Sequence, residues 1–206
     1  MLQALKENSI KEQNDKMRVE RILKGIKTLG PGSRLVIWTN GCNRRCKGCV
    51  SSRLQKIDTL TEVNIIETIE MFSFDDVDGV TISGGEPFIQ IKELRKLVEL
   101  LKNKKVNDIL IYTGYLYEDL LSKNDSDIVY ILENIAVLID GEYIESLNYD
   151  SSNIKGSENQ RVIFLNKQYL EKYKQYINEQ RKMETYYYAN LKIGVGIPNT
   201  QYLEEF

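Results

Sequence analysis

Apolar positions along the chain follow two alternating rhythms. Short runs rich in β-branched and aromatic residues occur at 35–39 (Leu35-Val36-Ile37-Trp38-Thr39), 79–82, 108–112, 135–139 and 161–165. Runs of this kind predict strands buried on both faces. Between them the apolar residues fall at helical spacing. A helix is predicted over 61–72, behind a Thr61 cap, and another over 91–101 with Leu94, Leu97, Val98 and Leu101 on one face. Shorter helical pieces fall at 116–121 and 128–132. A helix over 168–183 carries Tyr169, Tyr173 and Tyr176 on one side, read as a packing face, and a last strand lies within 186–197. Residues 17–27 fit a strand or a short helix, and the polar residues 1–16 are expected to form a poorly ordered tail. Gly30-Pro31-Gly32 marks a turn.

Strand and helix alternating in this way predict parallel strands joined by crossovers. The expected fold is α/β, one domain of 206 residues, too short for a complete barrel and suited to an open, partial (β/α)6 barrel. Residues 167–206 would supply a C-terminal helix and strand that close it.

Charge and composition narrow the functions. With 28 basic against 30 acidic side chains, bulk electrostatic binding to nucleic acid is not indicated. No apolar run is long enough to span a bilayer and no signal-peptide region opens the chain, so no membrane partner and a cytoplasmic location are expected. The chain has no histidine, which excludes imidazole proton transfer, a Ser-His-Asp triad and histidine-completed zinc sites.

All three cysteines fall in one C-x3-C-x2-C run, Cys42, Cys46 and Cys49. Three thiolates leave either a four-coordinate metal or a four-iron cluster one ligand short. Structural zinc would need a carboxylate or another chain as its fourth ligand; a 4Fe-4S cluster with one open iron is the preferred reading. The neighbours Arg44, Arg45 and Lys47 are expected to lower the thiol pKa values. The run follows a predicted strand directly, where α/β folds place functional loops. A second loop, Ser83-Gly84-Gly85-Glu86-Pro87, ends the next strand, and its paired glycines allow a ligand close to the backbone. Alone it would read as a turn; beside the cysteine run it reads as a grip on whatever occupies the open iron.

Together these motifs resemble the radical S-adenosylmethionine superfamily. Gly30-Pro31-Gly32-Ser33-Arg34 is similar to a Gly-Pro-Gly-x-Arg signature of the activating enzymes of glycyl radical enzymes. Cys42 to Cys49, Tyr112-Thr113-Gly114-Tyr115, Leu138-Ile139-Asp140-Gly141 and the 155–161 segment resemble, in order, the activators of anaerobic ribonucleotide reductase. The resemblance implies S-adenosyl-L-methionine chelating the open iron, reductive release of a 5′-deoxyadenosyl radical, and hydrogen abstraction from a glycine of a large partner reductase. It implies a flavodoxin or ferredoxin as electron donor. Carried over by position, Cys42, Cys46 and Cys49 are catalytic iron ligands. Gly48, Cys49, Val50, Gly84, Gly85, Glu86, Thr113 and Asp140 face the cofactor, while Asn159 and Arg161 fix a loop or the partner. Val50 stands where the reductase activators carry an aromatic residue, and Glu86 where they carry Asp. Two other readings stand beside this one: a radical enzyme acting on a peptide or small metabolite, and a non-catalytic zinc-binding module.

Overall fold

A computed structural model of the chain describes residues 15–188 and 191–199. The expected tail therefore falls, for residues 1–14, outside the described residues; Lys16 already opens the first strand. The strands are β1 (Lys16–Ile26), β2 (Arg34–Thr39), β3 (Glu62–Asn64), β4 (Gly79–Gly84), β5 (Ile109–Tyr112), β6 (Val137–Asp140), β7 (Arg161–Phe164), β8 (Met183–Tyr188) and β9 (Leu191–Gly196). The helices are α1 (Ile65–Glu70), α2 (Ile91–Asn103), α3 (Tyr117–Ser122), α4 (Ser126–Asn134) and α5 (Leu170–Ile177).

Seven strands form one mixed sheet in the order β3-β1-β2-β4-β5-β6-β7. The parallel pairings are β2–β4, β4–β5 and β5–β6. Here the expectation of uniformly parallel strands is corrected. β1 is a strand antiparallel to β2, because only the tight Gly-Pro-Gly turn separates them. β7 returns antiparallel to β6, since the intervening chain contains a single 3-10 turn and no helix to carry it back across the sheet. The mostly parallel α/β sheet stands, with its parallel core limited to four strands.

Helix boundaries also differ. Asn64, not Thr61, caps α1 by accepting from the Ile66 and Glu67 amides, and residues 62–64 pair with β1 instead of joining the helix. The helix expected over 168–183 is α5 alone, preceded by a 3-10 turn, and Met183 begins the β8–β9 hairpin, a separate two-stranded sheet.

Alternation along the strands sorts the core into two layers. Leu35, Ile37, Val80, Ile82, Ile109, Ile111 and Leu138 face the helices, where Leu94, Leu97, Val98 and Leu101 of α2 form the centre of the packing. The opposite faces of β5 and β6 present Leu110, Val137 and Ile139 to Tyr173 and Tyr176 of α5. Val36 of β2, with Ile26 and Leu29, packs on Ile193 and Val195 of the hairpin. The tyrosine stripe is thus a packing face, as its spacing suggested: Tyr173 and Tyr176 are buried and Tyr169 packs at their edge.

One charged group lies beneath this layer. Arg34 is fully buried at the start of β2; it donates to Thr81 Oγ1 at 2.6 Å, Val80 O at 2.8 Å and Asp108 Oδ1 at 3.2 Å. The Tyr173 hydroxyl (2.6 Å) and Lys172 (2.9 Å) complete the coordination of Asp108. Burial alone would push the Asp108 carboxyl up, but Arg34, Tyr173 and Lys172 outweigh it and hold the group below its ordinary value. Arg34 of the Gly-Pro-Gly-x-Arg motif therefore ties β2, β4, β5 and α5 together at the amino ends of the parallel strands. Among the described residues no helix is long and apolar enough to cross a membrane.

Candidate active site

The four parallel strands end at Thr39, Gly84, Tyr112 and Asp140, on one edge of the sheet. The loops leaving them surround a cavity of about 280 Å³, near the lower end of small-molecule sites of roughly 300–1,000 Å³.

The cysteine loop closes on itself: the Gly41 amide donates to Leu54 O (2.9 Å) and the Cys42 amide to Gln55 O (3.1 Å). Within the ring thus formed, exposure alternates. Cys42, Arg44 and Cys46 are half-buried and line the cavity, whereas Asn43, Arg45 and Lys47 face solvent. Gly48 turns the chain with φ +68°, a left-handed conformation that glycine adopts without strain, just before Cys49.

Cys46 and Cys49 do not have the electrostatics expected of them. Burial pushes Cys46 and Cys49 up, only partly opposed by backbone amides of Tyr143 and Ser51. The cations expected to lower them are countered: Arg44 pairs with Glu142 (3.4 Å) and Lys47 with Glu145 (3.5 Å), while Arg45 points away. A bound metal would supply the positive charge that favours the ionised form.

The Gly84–Glu86 loop packs directly on the cysteine loop. The Gly85 amide donates to Thr39 O (2.8 Å) and the Glu86 amide to Gly41 O (2.9 Å). A β-carbon on Gly85 would stand 2.1 Å from Gly41 O, so only glycine allows this approach. Glu86 is buried and accepts from Thr113 Oγ1 (2.8 Å), the Gly114 amide (2.7 Å) and the Phe88 amide (3.0 Å). Burial nevertheless pushes its carboxyl above the ordinary value. Glu86 thus fastens the loop after β4 to the loop after β5, and its role is positional.

The cavity gathers most of the residues singled out from sequence: Cys42, Cys46, Gly48, Cys49, Val50, Gly84, Gly85, Glu86 and Thr113. Val50 is exposed at the rim. Asp140 does not join them. Its buried carboxylate receives the Tyr117 amide (2.8 Å) and both Nε (2.9 Å) and a terminal nitrogen of Arg161, so it closes the β6–β7 edge. Arg161 also pairs with Glu118, and Asn159 donates to Glu142 O (2.8 Å); both hold local structure. The sequence reading missed an entire wall. Residues 193–198, in and after β9, line the same cavity, anchored by Thr28 Oγ1 donating to Val195 O (3.1 Å) and Arg181 donating to Pro198 O (3.0 Å). Only the glycine-rich Gly194-Val195-Gly196 pattern could have hinted at such close backbone approach.

The donor chemistry fits an iron–sulfur cluster. Among the described residues no three Cys, Asp or Glu side chains converge on a single ion. In a cluster each iron takes its own thiolate, so the three thiols that line this cavity need not meet at one ion.

Known proteins agree with this reading. Residues 28–163 match the family described as a 4Fe-4S single cluster domain. The anaerobic ribonucleoside-triphosphate reductase-activating protein of Enterobacteria phage T4 is 30% identical over 141 residues, covering 65% of this chain and 85% of the relative. The protein of the same name from Escherichia coli is 27% identical over 142 residues, 65% of this chain and 89% of the relative. The pyruvate formate-lyase-activating enzyme of Listeria monocytogenes is 38% identical over 91 residues, 41% of this chain and 37% of the relative. The chain belongs to the 4Fe-4S single cluster domain family, and its resemblance to the radical S-adenosylmethionine activating enzymes holds.

Proposed function

We propose that the protein is a radical S-adenosylmethionine enzyme that installs a glycyl radical on a partner, an anaerobic ribonucleotide reductase. The observation that carries this reading is the meeting, in one cavity, of the three thiols of the C-x3-C-x2-C loop with the Gly84–Glu86 loop. Cys42, Cys46 and Cys49 would hold a 4Fe-4S cluster and leave one iron open. When bound, cluster and S-adenosylmethionine would supply one-electron reductive cleavage of the cofactor and the radical chemistry that removes a glycine hydrogen from the partner.

The chain's own residues orient and enclose. Gly85 would offer its carbonyl to the amino group of the methionine end, and Gly41 O lies where any side chain at this position would stand. Glu86 keeps that carbonyl in place by tying its loop to Thr113 and Gly114. The wall formed by Ile193, Val195 and Ile197 excludes water from the side facing the thiols. No residue is asked to shuttle a proton, which agrees with a chain lacking histidine. The four parallel strands with antiparallel edges are read as the open partial (β/α)6 barrel of this superfamily, working as one domain in the cytoplasm with flavodoxin or ferredoxin as donor.

Anaerobic reconstitution with iron and sulfide tests the proposal. The expected result is a reducible cluster, 5′-deoxyadenosine formed from S-adenosylmethionine, and a glycine-centred radical signal on the reductase. Tight zinc binding without a reducible cluster would overturn it. Cofactor cleavage with modification of some other peptide would keep the chemistry and remove the partner.

A further inference from the structure

Period-two alternation breaks in β1, beside the cavity. Val19 is part of the helix-side core, and Ile22 packs against that same core. A regular strand repeats its faces every second residue, so an odd spacing between two residues on one face needs an extra residue. The pairing with β2 shows where it is. Val19 stands opposite Thr39 and Arg21 opposite Trp38, with a register shift between them, so Glu20 is the inserted residue of a β-bulge. The bulge turns two consecutive charged residues, Glu20 and Arg21, to the face of Trp38, and all three line the cavity. The fold engages neither charge firmly. The half-buried Arg21 guanidinium has no hydrogen bond or ion pair among the described residues. Burial and the nearby Arg53 push it below its ordinary value, only partly opposed by Glu20. The Glu20 carboxylate receives one long contact, from Asn40 Nδ2 at 3.5 Å. Glu86, the other carboxylate lining the cavity among the described residues, is already taken by Thr113, Gly114 and Phe88.

We propose that Glu20 and Arg21 grip the main chain of the partner's glycine-bearing segment, Arg21 donating to its carbonyl oxygens and Glu20 accepting from its amides. The inference rests on the glycyl-radical reading above and names residues that would place the glycine. Glycine has no side chain by which it can be oriented, so the hydrogen to be removed has to be positioned through the peptide groups on either side. Each of these groups carries a donor and an acceptor, and a segment entering a cavity loses water from both. A guanidinium with free donors beside a carboxylate with free lone pairs supplies what both need. The pair also stands apart from the residues assigned to the cofactor. Gly84–Glu86 and Thr113 belong to the ends of β4 and β5, whereas β1 lies across β2 from them. Trp38, opposite Arg21, gives an extended segment an apolar surface to lie on.

The probe is a short synthetic peptide centred on the reductase's radical glycine, titrated by calorimetry into the reconstituted, unreduced enzyme with S-adenosylmethionine bound. Arg21→Gln should weaken peptide binding about tenfold or more, the loss expected for a hydrogen bond to a charged group, and Arg21→Lys should recover part of it. N-methylation of the peptide amides beside the glycine should weaken binding to the wild type and have a smaller effect in Glu20→Gln, the coupling expected of groups in contact. S-adenosylmethionine affinity, titrated without peptide, is expected to be the same in Arg21→Gln as in the wild type. Equal peptide affinity in the wild type and both glutamine variants would overturn the proposal, as would a peptide that does not bind the wild type. Loss of S-adenosylmethionine affinity in Arg21→Gln would overturn it too, by assigning Arg21 to the cofactor's carboxylate. A wild-type protein that forms no reducible cluster would remove the functional reading itself. A wild type that forms the glycyl radical, matched in rate and KM for the reductase by both glutamine variants, would remove this proposal alone.

Discussion

Replacing Arg34 by Met keeps an unbranched side chain of similar length in the core and deletes the charge. Arg34 is completely buried, and its guanidinium contacts Thr81, Val80, Pro31 and Asp108. Removing one member of a buried ion pair costs about 3–5 kcal/mol, because the other charge is left uncompensated. Here Asp108, only 3% exposed, would keep the Tyr173 hydroxyl and Lys172, which points to the lower part of that range. Against a net stability of roughly 5–15 kcal/mol the loss is large, and for a chain of this size it corresponds to a fall in Tm of roughly 6–15 °C. Urea unfolding of the metal-free protein, followed by circular dichroism, measures it directly. The Asp108 carboxyl is held down in the folded state. Its stabilisation is therefore present above the ordinary value of 3.8 and lost as pH falls through the lower folded value, and Arg34→Met should flatten that acid limb. Because Tyr173 meets the same carboxylate, Tyr173→Phe combined with Arg34→Met should deviate from additivity. A loss below about 1 kcal/mol, or an unchanged acid limb, would refute the view that this motif is a structural anchor.

Four further outcomes are expected. Burial raises the Glu86 carboxyl, so its contribution to stability should be fully present below the ordinary glutamate value of 4.5 and be lost as pH rises through the folded value; Glu86→Gln should abolish that contribution to the slope of urea midpoints against pH. Gly85→Ala places a β-carbon 2.1 Å from Gly41 O, and overpacking of this kind should cost about 1–3 kcal/mol and weaken S-adenosylmethionine binding by calorimetry. Cys42→Ser, at a half-buried position, should abolish the visible absorbance of the reconstituted cluster yet leave metal-free stability within about 0.5 kcal/mol. Asp140→Asn should cost about 1–3 kcal/mol through its contacts with Arg161 and Tyr117 while leaving cofactor affinity unchanged.

The site was legible where its parts are local. Three thiols within eight residues and a Gly-Gly-Glu at a strand end declare themselves, because each motif completes its geometry from its own neighbours. The Tyr173 and Tyr176 packing face was likewise readable from helical spacing. What escaped depends on distant pairing. Period-two alternation says which face of a strand is buried but not which way the strand runs, so the antiparallel β1 and β7 were invisible. Asp140 misled for a related reason: a carboxylate at a strand end looks the same whether it faces a ligand or meets Arg161, 21 residues further on. The thiol electrostatics failed because burial, which the sequence does not show, pushes Cys46 and Cys49 up, and because Glu142 and Glu145, nearly a hundred residues away in sequence, sit beside Arg44 and Lys47.

The C-terminal segment is the clearest case of function built beyond a motif. The family match ends at residue 163 and contains every cysteine, the Gly84–Glu86 loop and Thr113. Yet Ile26, Leu29, Val36, Leu110, Val137 and Ile139, on the face of the sheet away from α1–α4, are buried largely by Tyr173, Tyr176, Ile193 and Val195, all beyond that limit. Burying one aliphatic side chain contributes about 1.5–3 kcal/mol, so exposing these six would forfeit roughly 9–18 kcal/mol as an upper estimate. That matches or exceeds the whole net stability of a typical domain, roughly 5–15 kcal/mol. The segment from α5 through β9 is therefore part of the fold that holds the cysteine loop. Since residues 193–198 also wall the cavity, the same hydrophobic contacts that complete the core determine the shape of the space facing the thiols.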